Sequence, residues 1–210
     1  MSERITFQTS DGVNIVGTFI APVNARRCVL LLHMMPADRS SWQELQNRLE
    51  DKGMASLAID LRGHGESEGD QEFQAESEKD VEAALVWLEE KGFLHGQLAM
   101  VGASIGANLA LQAVANHRDI PKVVLLSPGE NYHGVKTFEY AKRLRHEQAA
   151  LIAASAVDDE EPFQAARKIE ELMPGDHIVF KMFEHAGHGT NLFKTHPHLI
   201  KEVAEWVCAP

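Results

Sequence analysis

An α/β architecture follows from three features of this 210-residue sequence: a mostly parallel eight-stranded sheet, an N-terminal antiparallel hairpin, and helices on both faces. First, six short runs are apolar almost without interruption, as suits strands buried on both sides in a parallel sheet. Second, segments with helical spacing alternate with those runs. Third, two alternating segments at the start are joined by Asp11-Gly12, a hairpin signal.

The elements can be taken in order. "RITFQTS" and "NIVGTFIA" form the expected hairpin. The buried strands are expected in "CVLLLH" (28–33), "ASLAID" (55–60), "LAMVGA" (98–103), "VVLLS" (123–127), "ALIAAS" (150–155) and "HIVFKMF" (177–183). "SSWQELQNRLEDKG" opens on serines suited to N-capping and stops at Gly53, and "SEKDVEAALVWLEEKG" does the same with Gly92. Three more helices are expected in "IGANLALQAVANH", "EPFQAARKIEELMPG" and "HPHLIKEVAEWV". No repeat or linker divides the chain, so residues 1–210 are expected to form one domain with a minimal cap or none. The sizeable irregular connection, 129–148, is a short lid segment with one short helix in "TFEYAKRL".

Composition narrows the function classes. A hydrophobic content of 44% supports one packed core. A formal charge of -11 argues against nucleic acid and against docking on anionic lipid. Two cysteines, Cys28 and Cys208, make no disulfide framework. The N-terminus has no apolar core of a signal peptide, and no run reaches the length of a membrane span, so a cytoplasmic protein is expected. No feature fixes an oligomeric state.

Chemistry concentrates at "GASIG", where an expected strand meets an expected helix at Ser104. Ligands of open parallel sheets bind at the carboxyl ends of the strands, so Ser104 lies on the functional edge. A sharp turn there is tolerable if the residues two before and two after lack bulk, and Gly102 and Gly106 meet that demand. The alternative is a serine that merely caps the helix between packing glycines. A nucleophilic serine needs a base, and the base an orienting acid. The strand at 150–155 runs into "AVDDEEP" and the strand at 177–183 into "EHAGHGTN", giving the chain order Ser, Asp, His. Asp158 is the candidate acid, with Asp159 its rival; His188 is the candidate base, with His185 its rival. Ile105, directly after the nucleophile, supplies one backbone N–H of an oxyanion hole.

In "LLLHMMP", "DLRGHGES", "GASIG", "SAVDDEEP" and "EHAGHG" the chain resembles the α/β-hydrolase-fold serine hydrolases, of the lidless carboxylesterase or dienelactone-hydrolase-like type. The resemblance implies Ser104 as nucleophile and His188 as base. It implies Asp158 as acid, three residues after a usual glycine that is Ser155 here. It also implies Met35 as the second oxyanion donor. Relatives commonly carry His-Gly-x-Pro at that loop; this chain has His33-Met34-Met35-Pro36, with Met34 in place of glycine.

The remaining conspicuous residues have plainer explanations. Arg62 and His64 fit a tight loop bonded to Asp60 and its neighbours, and His33 a loop-organising role. Eleven histidines form no metal motif, and the glycines of "RGHGESEGD" fit no nucleotide loop, so neither metal nor cofactor is expected. Trp42, Trp87 and Trp206 lie in expected helices, facing the core. Met34, Tyr132 and Phe138 are candidates for the substrate pocket. The expected activity is hydrolysis of a small-molecule carboxylic ester of short to medium acyl chain through an acyl-enzyme. Thioester, lactone or carbon–carbon hydrolysis by the same triad is an alternative, and a noncatalytic receptor on this scaffold is one of another class.

Overall fold

The computed structural model describes residues 2–70 and 75–210. Ten strands and seven α-helices are described: β1 (Ser2–Gln8), β2 (Asn14–Ile20), β3 (Cys28–Leu32), α1 (Gln43–Asp51), β4 (Ala55–Ile59), α2 (Glu78–Glu90), β5 (Leu98–Ala103) and α3 (Ile105–Asn116) come first. They are followed by β6 (Lys122–Leu126), β7 (Asn131–Tyr132), β8 (Val135–Lys136), α4 (Phe138–Ala141), β9 (Ala149–Ser155), α5 (Glu160–Leu172), β10 (Ile178–Phe183), α6 (Asn191–Thr195) and α7 (Pro197–Cys208).

Eight strands form the main sheet in the order β1-β2-β4-β3-β5-β6-β9-β10. β2 pairs antiparallel with both β1 and β4, and every later pairing is parallel. The continuous apolar runs are explained by burial on both faces. In β3, Leu30 and Leu32 enter one core while Val29 and Leu31 enter the other, as the two-residue period of a strand requires. On the first face lie Val81, Leu85 and Leu88 of α2, Leu109 of α3 and Ile169 of α5. On the second lie Trp42, Leu45 and Leu49 with Leu199 and Val203 of α7.

Some local details depart from expectation. The segment from Ser40 begins as a 3-10 turn, Arg39–Trp42, and its cap is Asp38, whose side chain accepts the Ser40 N–H at 2.8 Å. Ser77 stands at the start of α2 without capping it through its hydroxyl. Trp42 is fully buried, but Trp87 and Trp206 are half-buried under the ammonium groups of Lys91 and Lys122. The 129–148 connection holds the β7–β8 hairpin before the single turn of α4. No helix among the described residues is long and apolar enough to cross a membrane.

Candidate active site

Helix α3 sets the nucleophile candidate. A β-carbon on Gly102 would stand 2.1 Å from the Gly106 carbonyl oxygen, and one on Gly106 would stand 2.2 Å from that of Leu32. Both contacts are with backbone, which cannot move aside, so only glycine lets α3 start this close to β5 and β3. Between them Ser104 adopts φ 55° and ψ -121°, a strained conformation for a side-chain-bearing residue. Its carbonyl starts the helix by accepting from Ala107 and Asn108, yet its hydroxyl caps nothing. The side chain is thus free of the structural duty that a capping serine performs.

Further residues reach the same edge from other strands. His188, in the loop after β10, has Nδ1 2.9 Å from each carboxylate oxygen of Asp159, in the loop after β9. With Nδ1–H donating to the carboxylate, Nε2 is left with its lone pair. His185 is exposed. The His188 ring is thus joined to Asp159, the rival, and not to Asp158, the expected partner. The Ser155 hydroxyl donates to Asp158, which also accepts the N–H groups of Ala186 at 3.3 Å and Gly187 at 3.1 Å. These hydrogen bonds, that of Ser155 foremost, hold the Asp158 carboxyl below its ordinary pKa. A glycine at position 155 would offer no such hydroxyl. Asp158 fastens the loop that carries His188, and Asp159 meets the ring.

Met35 follows β3 and Ile105 opens α3, and no hydrogen bond among the described residues uses either N–H. The Met34–Met35 peptide is pinned from behind. His33 Nε2 accepts the Leu61 N–H at 3.0 Å, so Nδ1 carries the proton and donates to the Met34 carbonyl at 2.9 Å, joined there by Ala37 N–H at 2.8 Å. Carbonyl and N–H of one peptide point in opposite directions, so holding the Met34 oxygen aims the Met35 N–H away from it. Burial pulls the pKa of His33 down to about 4, which keeps it neutral. The Met34 side chain does not line the cavity described below. Its thioether lies over Gly189, where a β-carbon would come within 2.5 Å of the sulfur, and accepts the Thr190 hydroxyl at 3.7 Å.

The loop after β4 is structural in a different way from that expected. Asp60 accepts the backbone N–H groups of Arg39 and Glu66, each at 2.8 Å, and pairs with the Arg39 guanidinium. Arg62 instead bonds Asp80 of α2 and Asp11 of the first hairpin. His64 donates to the Arg62 carbonyl at 3.0 Å and packs beside His33. Among the described residues no cluster of side chains suits a metal ion.

Tyr132 stands at the same edge. Its ring meets the His188 imidazole edge-on, with centroids 6.1 Å apart, its phenol donates to the Ser127 carbonyl at 3.3 Å, and the neighbouring Ser104 side chain acts on the phenol against the larger effect of burial. No direct hydrogen bond joins Ser104 to His188. Burial first, and the charge of Asp159 second, raise the pKa of the phenol well above the usual value, so it stays protonated. Tyr132 and Phe138 both line a cavity of about 1020 Å³ between the hairpin and the start of α5.

Sequence reasoning missed Asn108 and Gln112. Asn108, fully buried, donates to the Val135 carbonyl at 2.8 Å and accepts the Gly129 N–H at 3.0 Å, and Gln112 donates to the Lys136 carbonyl at 3.0 Å. The signal was available: polar residues at 104, 108 and 112 repeat every four positions on an otherwise apolar helix, one face whose polar groups must find partners.

With this geometry established, comparison with known proteins adds the lineage. A family model described as the alpha/beta hydrolase fold matches residues 27–155. The AB hydrolase superfamily protein YisY of Bacillus subtilis is 29% identical over 119 residues, 53% of this chain and 41% of that protein. The uncharacterized protein YfhR of Salmonella typhi is 30% identical over 121 residues, 55% of this chain and 41% of that one. The match thus spans about two-fifths of the length of these relatives. Among solved structures, the esterase Pf2001 of Pyrococcus furiosus superposes with a TM-score of 0.79 at 16% identity, covering 99% of this chain and 90% of that one. The esterase EaEST of Exiguobacterium antarcticum gives 0.80 at 16% identity, covering 99% and 100%. At such identities the likeness is one of fold.

Proposed function

We propose, for a chain that belongs to the alpha/beta hydrolase fold family, that it is a serine hydrolase cleaving carboxylic esters of short to medium acyl chain through an acyl-enzyme. The observation that carries the reading is His188 held by Asp159 on the same sheet edge as an uncapped, strained Ser104. The esterases among its structural neighbours favour the same chemistry.

In this mechanism the ester enters beside Tyr132, and His188 Nε2 takes the hydroxyl proton as Oγ attacks the carbonyl carbon. The new oxyanion is received by the Ile105 and Met35 N–H groups, with the N-terminus of α3 beneath it. Asp159 orients the ring and stabilises the imidazolium. The tetrahedral intermediate collapses, His188 returns the proton to the departing alcohol, and water repeats the sequence to release the acid. The chemistry calls for no cofactor or metal.

The test is Ser104→Ala against p-nitrophenyl acetate and butyrate, with a serine-directed fluorophosphonate as covalent label. The wild type should be labelled on Ser104, and the variant should stay folded by circular dichroism while losing about 10⁴-fold or more in kcat. Undiminished turnover by the variant, or a wild type that no fluorophosphonate labels, would remove the reading.

A further inference from the structure

The segment after β6 is built to hold one side chain over the nucleophile. Asn108 grips it at two points, the Gly129 N–H and the Val135 carbonyl, and the buried Thr137 hydroxyl donates to the Gly129 carbonyl at 2.8 Å. Inside that frame the hairpin turns at His133 and Gly134, at φ 50° and 93°. The Tyr132 ring is thereby laid against the Gly129 backbone: a β-carbon at 129 would stand 2.5 Å from Cζ and 2.9 Å from the phenolic oxygen. Glycine is what lets the ring lie there. The ring also packs against the first core, meets the His188 imidazole edge-on and lines the cavity of about 1020 Å³, while its phenol donates to the Ser127 carbonyl. That cavity is lined by Phe138, Pro162 and Ala165 as well as by Glu130, Glu160 and Glu161, so it disfavours an anionic arm and offers apolar contact to an uncharged one. A volume of this size exceeds what an acetyl or butyryl group fills.

From this placement we infer that Tyr132 is the specificity-determining wall of the site, separating the Ser104 hydroxyl from the cavity beside α5, and so restricting access to esters with a small arm on that side. The wall is the aromatic ring; the phenolic oxygen only fastens it to the Ser127 carbonyl. Removing the ring joins cavity to nucleophile, and the cavity then receives the long arm of a bulky ester. This inference rests on the serine hydrolase reading above.

The experiment compares the rates at which diisopropyl fluorophosphate and a decyl-chain fluorophosphonate label Ser104, followed by intact mass. In each reaction Oγ displaces fluoride at phosphorus and its proton passes to His188, so no natural substrate is needed. Tyr132→Ala should raise the long-to-short rate ratio by at least about tenfold, the scale on which hydrophobic pockets discriminate arms by size. Tyr132→Phe, which keeps the ring, should hold the wild-type ratio whatever its absolute rates. Should the alanine variant not fold, Tyr132→Leu carries the same test in the same direction. A ratio in the truncated variant within about twofold of wild type, with both proteins labelled, overturns the wall and leaves the hydrolase reading standing. A wild type labelled by neither reagent overturns both.

Discussion

Asp159 meets the imidazole of His188 with both carboxylate oxygens 2.9 Å from Nδ1, while the neighbouring Asp158 spends its carboxylate on the backbone of residues 186 and 187. Two adjacent aspartates therefore serve separate tasks, and mutation should part them. Asp159→Asn, measured on p-nitrophenyl butyrate, is expected to lower kcat by about 10³–10⁴-fold, because an amide no longer stabilises the tautomer and the imidazolium. Asp158→Asn retains an acceptor for the loop and should cost about tenfold or less. The reverse order of losses would reassign the acid.

Acid should weaken the fold through His33. Its folded pKa of about 4 lies below the ordinary 6.5, so the unfolded chain binds the extra proton between those values. The stabilisation is complete above about pH 6.5 and is lost as pH falls towards about 4, by about 3 kcal/mol across that window. Urea unfolding at pH 7, 6, 5 and 4 measures the slope. His33→Gln should be less stable at pH 7 and should show a shallower loss on acidification.

Asn108→Ala should act on two levels. It leaves the Gly129 N–H and the Val135 carbonyl without their partner, at a cost of about 1–3 kcal/mol for each buried group left unsatisfied. It also loosens the frame that presses Tyr132 over Ser104, so the fluorophosphonate rate ratio should move in the direction of Tyr132→Ala. Denaturant midpoints read the first effect and labelling rates the second.

Gly106→Ala should be among the worst conservative substitutions in the chain. Its β-carbon would meet the Leu32 and His33 carbonyl oxygens at 2.2 and 2.6 Å, so α3 must slide off the sheet. A loss of about 2–4 kcal/mol in unfolding free energy is expected, together with loss of Ser104 labelling as the nucleophile shifts.

The alternation of apolar runs and helical segments made the sheet legible in sequence, because burial on both faces leaves strands such as β3 and β5 no freedom of composition. The glycines around Ser104 were legible for a related reason: the turn admits few residue types. Which of Asp158 and its rival Asp159 would meet His188 was not, because counting from position 155 assumes a residue without a hydroxyl, and Ser155 captures Asp158 by a contact that spacing cannot reveal. The hairpin at 131–136 was illegible as well. Its two-residue strands are too short to show a period, and they are held by Asn108 and Gln112, distant in sequence.

A single helix thus carries the proposed nucleophile at its tip and, one and two turns along, the clamps for the β7–β8 segment. On the proposed reading, bond-breaking machinery and the part that sorts molecules by size share a foundation but occupy separable stretches of chain. An evolving gene can rewrite the tip of that hairpin, codon by codon, and acquire a new diet without disturbing how the bond is broken.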